Sequence, residues 1–201
     1  TDWRDRIEPT VDVQYRNEVD TYAAGFPLEA SDGVEPVAVT ASETDNTTIE
    51  PQINRRDWAY AICGISYSTM GIIGKGQAAM ADVGFWCFLQ AALLQTDEAE
   101  HLANVAFHLN LHGAFDDARD VLIYARSVDG GHISVRNNLA FSYAQLGDYD
   151  RAINEAQIVV AMQPMERAYL ERLARYYNDG GHPEAADALK AALEEIGRAH
   201  V

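Results

Sequence analysis

The sequence predicts an all-α protein, a solenoid of stacked helical hairpins preceded by an extended N-terminal arm. Two observations lead to the prediction of a solenoid. Glycines recur every 34 residues at Gly113, Gly147 and Gly181, and each has an alanine seven residues before it and another five residues after it. Between Trp58 and Thr96, a glycine-containing turn divides an apolar stretch in two. Fixed periods of roughly 20–50 residues indicate repeat architectures, in which each unit stacks only on its neighbours.

Composition favours protein partners over other classes. The 201 residues carry 31 acidic and 15 basic side chains, a formal charge of -16. This charge repels nucleic acid phosphates and anionic lipid headgroups, so no nucleic acid partner is predicted. Cys63 and Cys87 are the only cysteines. Two cysteines exclude a disulfide framework and a four-cysteine metal site, but leave open whether these two are bridged.

Residues 1–56 are predicted to form the arm. Thr10 can cap a short helix with the helical spacing of Val11, Tyr15 and Val19, and the segment after Gly25 has little helical pattern. The composition of this segment is typical of disorder, but the arm also contains aromatic residues that a solvated linker would not need. We therefore expect the arm to pack on the apolar hairpin or on a neighbouring subunit. The chain begins with Thr1 and shows no basic region followed by an apolar one. Either a targeting segment was removed or residues are missing before Thr1, and of the two locations the extracytoplasmic one is favoured over the cytoplasmic one.

Residues 57–98 are predicted to form an apolar helical hairpin. Lys75 and Asp82 are the only charged residues from Trp58 to Thr96, and Gly74-Lys75-Gly76 marks the turn. Each half is shorter than the ~20 residues of a membrane span, so burial is favoured over membrane contact. An apolar surface of this extent indicates an interface, with a partner or in a homo-oligomer. The predicted interface residues are Trp58, Phe85, Trp86 and Phe88.

Residues 99–201 are predicted to contain three helical repeats. The clearest unit runs from Ser134 to Pro164 and contains Asn138-Leu139-Ala140, Leu146-Gly147-Asp148-Tyr149 and Ala152-Ile153. This pattern resembles the tetratricopeptide repeat (TPR) family, whose period is ~34 residues. The third unit departs from it at His182-Pro183 and Lys190, and is interpreted as a C-terminal cap with a polar outer face. The apolar hairpin before these units is interpreted as a degenerate repeat.

The resemblance implies a concave groove, lined by the first helix of each unit, that accepts an extended peptide or a helix. Amide side chains there can bond a peptide backbone, aromatic rings form an apolar floor and guanidinium groups pair with carboxylates. The implied groove residues are Asn104 and Phe107 in the first unit, Asn138 and Phe141 in the second, and Arg172 and Arg175 in the third. The alternative is that the chain's own arm fills the groove.

Catalytic and cofactor sites are disfavoured. Gly74-Lys75-Gly76-Gln77-Ala78-Ala79 fits a dinucleotide fingerprint, but helical repeats follow it instead of alternating strands and helices. His108 and His112 have a spacing that can share a metal ion, but no third ligand is evident, so no metal and no cofactor are predicted. No nucleophile with a neighbouring base is present either, and the chain is predicted not to be an enzyme.

The predicted function is therefore a protein–protein interaction scaffold or adaptor, a subunit of a larger assembly. An alternative is a chaperone for secretion substrates, because small acidic TPR chaperones of type III secretion are similar in size and charge. A second alternative is a nucleotide-binding protein that uses the turn from Gly74 to Gly76.

Overall fold

The computed structural model describes residues 4, 6–7, 13–25, 56–73 and 78–199. All regular secondary structure in these ranges is helical, which confirms the all-α prediction. The helices are α1 (Val13–Ala23), α2 (Arg56–Ile73), α3 (Ala78–Leu94), α4 (Ala99–Leu111), α5 (Phe115–Val128), α6 (Ile133–Gln145), α7 (Tyr149–Met162), α8 (Arg167–Asp179) and α9 (Pro183–Ala199).

The helix boundaries of the C-terminal half repeat without a gap. Helices α4, α6 and α8 each have 13 residues, and they begin at 99, 133 and 167. Their partners α5, α7 and α9 begin at 115, 149 and 183, which is the same step of 34. Each first helix packs on the second helix of its own unit, and α5 packs on α6 as α7 packs on α8. The chain therefore contains three stacked helical hairpins in the predicted register.

Glycine ends the first helix of every unit in a left-handed conformation. At Gly147 the φ angle is 80°, and the Gly147 N–H donates to the carbonyl of Ala144 at 3.1 Å. The next N–H, of Asp148, donates to the carbonyl of Tyr143 at 2.9 Å. This is the Schellman pattern, which gives hydrogen bonds to the last carbonyl groups of a helix. It requires a left-handed residue after the helix, and glycine adopts that conformation without steric strain because it has no Cβ. Gly113 and Gly181 repeat it at φ angles of 75° and 84°.

Small residues let the two helices of each unit cross closely. The alanines before and after each turn glycine are all buried, and so are the larger apolar residues beside the first of them. The buried set is Ala106, Ala118, Ala140, Ala152, Ala174 and Ala186, with Val105, Leu139 and Leu173. The third unit differs from the other two at one position, where Tyr177 is half-buried while its counterparts Leu109 and Tyr143 are buried.

The last helix has the surface of a cap. It begins at Pro183, a residue that suits the first helical position because no N–H is needed there. Ala186 and Leu193 are buried toward the repeat, while Glu184, Asp187 and Lys190 are exposed. A polar outer face of this kind closes a solenoid, because no further unit covers it.

By its contacts the chain divides into two compact units, residues 8–96 and residues 1–7 with 97–201. In the first, α1 packs on α2 and α3, so the predicted helix of the arm does lie on the apolar hairpin. Val19 and Ala23 of α1 share a buried cluster with Tyr60 and Trp86, and the Tyr60 hydroxyl donates to Asp20. The rest of the arm, including Thr10, Val11 and the segment after Gly25, lies outside the described residues.

Two glycines allow α2 and α3 to approach closely. A Cβ on Gly84 would lie 2.1 Å from the Ser68 hydroxyl oxygen, and one on Gly64 would lie 2.8 Å from the Phe88 ring. The turn between these helices, residues 74–77, lies outside the described part of the chain. None of the described helices is both long enough and apolar enough to cross a membrane.

Cys63 and Cys87 are free thiols in this hairpin. Burial raises the pKa of both, and most strongly that of Cys87 in the core. A thiol held protonated in an apolar core is a poor nucleophile, so the pair behaves here as small apolar side chains.

The start of the chain packs on α5. The Arg6 guanidinium forks onto Asp117 and Asp120 at 2.9 Å each, and the Arg4 guanidinium lies 5.2 Å from the centre of the Tyr124 ring. The pKa of Asp120 is lowered, because hydrogen bonds from Arg119 and Arg6 outweigh the opposing effect of burial. Residues 4, 6 and 7 therefore group with the repeats, whereas α1 groups with the apolar hairpin.

Candidate functional site

A cleft of about 110 Å³ opens between the C-terminal ends of α6 and α8. We call it the α6–α8 cleft. Its lining combines aromatic rings, two guanidinium groups and one carboxylate, contributed by Phe141, Ala144, Gln145, Tyr149, Arg172, Arg175, Tyr176 and Asp179. Three of the six groove residues implied by the resemblance, Phe141, Arg172 and Arg175, therefore lie around one space.

The two arginines of the cleft differ in how they are held. Arg172 Nη1 donates to Asn137 Oδ1 at 2.7 Å, a bond that links α8 to the preceding first helix. Arg175 lies one turn further along α8 and is exposed, with no ion pair to any described residue. With Asp179 also in the lining, the cleft has two positive charges and one negative charge, a balance of +1 in a chain of net charge -16.

Tyr176 also lines the cleft and has a buried hydroxyl. The residue is 4% exposed, and its hydroxyl has no hydrogen-bond partner among the described residues. Burial raises the pKa of Tyr176 to about 12, against the opposing effect of the positive charges of Arg172 and Arg175. The phenol therefore keeps its proton at ordinary pH and can act as a hydrogen-bond donor.

Aromatic rings continue from the cleft toward the first unit. Phe141 packs edge-on against Phe115, with ring centroids 6.2 Å apart and an interplanar angle of 70°. Tyr149 occupies in the second unit the position that Phe115 has in the first, 34 residues earlier. Arg175 has in the third unit the position of Phe141 in the second, so Tyr149 and Arg175 correspond in register to Phe115 and Phe141.

The other three implied groove residues lie outside the cleft. Phe107 is 40% exposed and packs edge-on against His108, and Asn104 is half-buried. The Asn138 side chain donates to the Ala103 carbonyl at 3.4 Å, so part of its amide joins α6 to α4. Backbone bonding by Asn104 and Asn138, and a place for Phe107 in the apolar floor of the groove, stay predictions.

The four residues predicted as an interface lie in α2 and α3. Phe85, Trp86 and Phe88 are buried at 4–6% exposure, and Trp58 is half-buried. Trp86 packs edge-on against Tyr60, and Phe88 lies over Gly64. These contacts give the aromatic residues a packing role within the chain, and their role as an interface stays untested.

The histidines of α4 differ in burial and bring no third ligand with them among the described residues. No three His, Cys, Asp or Glu side chains come together as ligands within the described ranges. His101 and His108 are buried, while His112 is exposed. Burial, with a smaller effect from His112, lowers the pKa of His108 to about 4. His108 is therefore neutral at physiological pH, as a packed core residue.

The period of 34 residues, the Schellman glycines and the cleft between successive first helices define a TPR-type helical repeat fold. Solved structures share this fold. A crystal structure of MamA superposes with a TM-score of 0.61 at 18% identity, over 72% of this chain and 81% of that one. MamA 41-end from Desulfovibrio magneticus RS-1 gives 0.59 at 16% identity, over 71% and 76%. The Arabidopsis OM64 TPR domain gives 0.52 at 16% identity, over 61% and 94%.

At these identities the similarity defines the fold. No family model matches the sequence. No curated protein matches it either.

Sequence reasoning missed several residues of the cleft. Tyr149, Tyr176 and Asp179 were not among the implied groove residues, and neither was Asn137, the partner of Arg172. The sequence contained a signal for Tyr149, because this residue follows Phe115 by one period and both are aromatic. The sequence contained no such signal for Tyr176, since its counterparts in the other units, His108 and Ser142, are of different residue types.

Proposed function

We propose that this chain is a non-catalytic interaction scaffold or adaptor that binds a segment of a protein partner along its first helices, α4, α6 and α8. The observation that carries the proposal is the α6–α8 cleft, in which an aromatic ring of one unit and two arginines of the next converge. Such a combination suits a peptide, because the ring takes an apolar side chain and the guanidinium groups bond carboxylates or carbonyls.

The fold supports the proposal as well. Helical repeat proteins stack so that their first helices form one extended surface, and such surfaces commonly bind extended peptides or helices. The cleft is small beside the ~300–1,000 Å³ of typical small-molecule sites, which favours side chains of a larger ligand. Phe115, Phe141 and the partly exposed Phe107 offer further apolar surface in the two preceding units.

A peptide selection tests the proposal. The full chain is used to select from a library of 12-residue peptides on phage, and enriched sequences are synthesised and titrated. We expect binding that Phe141→Ala weakens, because it removes the ring from the cleft. Ile123→Ala, at an exposed position on the second helix α5, is the matched control and leaves affinity unchanged. Selection without enrichment, or equal binding by both variants, would reject the groove as the binding site.

The alternatives predict other results. A nucleotide-binding protein that uses the turn from Gly74 to Gly76 would bind ATP or NAD in a calorimetric titration, and Lys75→Ala would abolish that binding. A chaperone of secretion substrates would bind long unfolded segments, so its affinity would rise as a selected 12-residue peptide is extended. An adaptor that reads a short motif would gain little from the extension.

A further inference from the structure

Building on the proposed function, we propose that the α6–α8 cleft receives the side-chain carboxylate of an aspartate or glutamate of the bound partner segment. Arg175 would form the ion pair, Tyr176 would donate a hydrogen bond from its hydroxyl, and Phe141 would pack on the neighbouring apolar part of the peptide. The partner is therefore a protein segment that places an acidic residue beside an apolar one.

The charge of the cleft supports an anionic ligand. Arg172 and Arg175 outnumber Asp179, so the local charge is positive although the chain as a whole has a charge of -16. Arg172 already donates to the neutral Asn137 amide, which fixes its position without neutralising it. Arg175 has no ion pair with a described residue and is exposed, so an incoming carboxylate displaces only water from it.

The Tyr176 hydroxyl is the second, independent observation. A buried hydroxyl is nearly always hydrogen-bonded, because leaving it unsatisfied costs free energy. Tyr176 is 4% exposed and lines the cleft, and its buried hydroxyl has no hydrogen-bond partner among the described residues. Since burial raises its pKa to about 12, the hydroxyl remains a donor. Both arginines share the cleft lining with Tyr176 and act electrostatically on it. A hydroxyl donor and two guanidinium groups are together complementary to a carboxylate and not to a cation.

The size of the cleft favours a side chain over a chain terminus. About 110 Å³ accommodates the carboxylate and methylene groups of one aspartate or glutamate. A terminal carboxylate would bring the side chain and backbone of the last residue into the same space. We therefore commit to an internal acidic residue, with the peptide continuing on both sides along the first helices.

The experiment uses the peptides selected with the full chain. Each is synthesised with amidated C-termini in two forms that differ in one residue, glutamate or glutamine, and titrated by fluorescence anisotropy. We expect the glutamine form to bind roughly tenfold more weakly or worse, the usual effect of removing a hydrogen bond to a charged group. Arg175→Gln should cause a similar loss with the glutamate peptide and little further loss with the glutamine peptide.

The matched control is Arg167→Gln, which makes the same charge change on the same helix. Arg167 is exposed, pairs with Glu171 and does not line the cleft, so the glutamate peptide should keep its affinity. Tyr176→Phe supplies a readout that a packing role would not give. It should weaken binding of the glutamate peptide severalfold while the free protein keeps or gains stability, because the lost hydroxyl had no partner to satisfy.

Three results would overturn the inference. The first is equal binding of glutamate and glutamine peptides, which leaves the proposed function standing. The second is full recovery of the glutamine peptide's affinity by a free C-terminal carboxylate, which would assign the cleft to chain termini. The third is a loss of stability in free Tyr176→Phe, because the hydroxyl would then have a partner within the protein. A selection that enriches no peptide rejects the proposed function itself and is distinct from all three.

Discussion

Arg136 Nη1 and Glu155 Oε2 form a 2.7 Å ion pair between α6 and α7. The Glu155 side chain is only 6% exposed, and its other oxygen accepts from Arg126 of α5. One carboxylate thus joins three successive helices of the stack. A buried carboxylate needs such partners, because an unpaired charge in the interior is strongly unfavourable.

Replacing Glu155 should therefore destabilise the repeats. Glu155→Ala leaves two guanidinium groups facing each other without a counter-charge. We expect a loss of roughly 2–3 kcal/mol in the free energy of unfolding, less than for a fully buried pair because the Arg126 side chain is 35% exposed. Urea unfolding followed by circular dichroism measures it. Asp187→Ala, which breaks an exposed pair with Lys190, is the control, and an equal effect of the two would contradict this account.

Substitution by alanine should destabilise the protein for different reasons at Gly147 and at Gly180. Gly147 has a positive φ and nothing within 4 Å of an added Cβ, so Gly147→Ala costs about 1 kcal/mol in backbone conformation, and Gly147→Asn costs less. Gly180 has an ordinary φ of -81°, but its Cβ would lie 2.9 Å from the Tyr149 Cβ. Gly180→Ala should cost about 1–3 kcal/mol by overpacking.

Thermal unfolding of these three variants and of Gly180→Asn separates the two causes. Asparagine should recover part of the stability at position 147 but not at position 180, because only the first cost depends on the left-handed conformation. A similar benefit from asparagine at both positions would show that backbone conformation, and not space, is limiting at Gly180.

His108 should make the protein less stable in mild acid. Its pKa is lowered to about 4 in the folded state from 6.5, so the unfolded chain binds a proton between these values and the folded protein does not. Stability therefore falls as the pH falls through that range, by about 1.4 kcal/mol per pH unit from this group. Urea titrations at pH 7 and pH 5 of the wild type and His108→Gln measure the contribution.

The free energy of unfolding should change less between pH 7 and pH 5 in His108→Gln than in the wild type, whatever the absolute stability of the variant. His182→Gln, at an exposed site, is the control and should keep the wild-type difference. An unchanged difference in His108→Gln would mean that other groups cause the acid sensitivity.

The attachment of residues 4–7 to α5 should depend on salt. Arg6 pairs with Asp117 and Asp120 at the surface, where ionic screening is effective. Arg6→Gln should speed hydrogen exchange at residues 4–7 in low salt and leave the urea midpoint unchanged. In 1 M salt the wild type should exchange as the variant does. Wild-type protection that persists in 1 M salt would assign the attachment to apolar contacts such as those of the buried Ile7.

The sequence by itself determined the repeats. Gly113, Gly147 and Gly181 end helices through local backbone conformation, and the alanines at fixed distances from them mark close helix crossings. Both features depend on neighbours within one hairpin, so they are visible as a period in the chain. The helical character of residues 56–73 and 78–94 was predicted from the composition and from the turn signal between them.

Only the tertiary structure decided which side chains meet between units. Arg172 bonds Asn137 across 35 residues, and Glu155 pairs with arginines of two other helices. Tyr177 is only half-buried, although Leu109 and Tyr143 at the same position of the earlier units are buried. These relationships depend on how one hairpin is rotated on the next, and packing over many contacts sets that rotation. A charge or hydroxyl has the same appearance in the sequence whether it faces solvent or a neighbouring helix, and its burial and partners emerge only when the units stack.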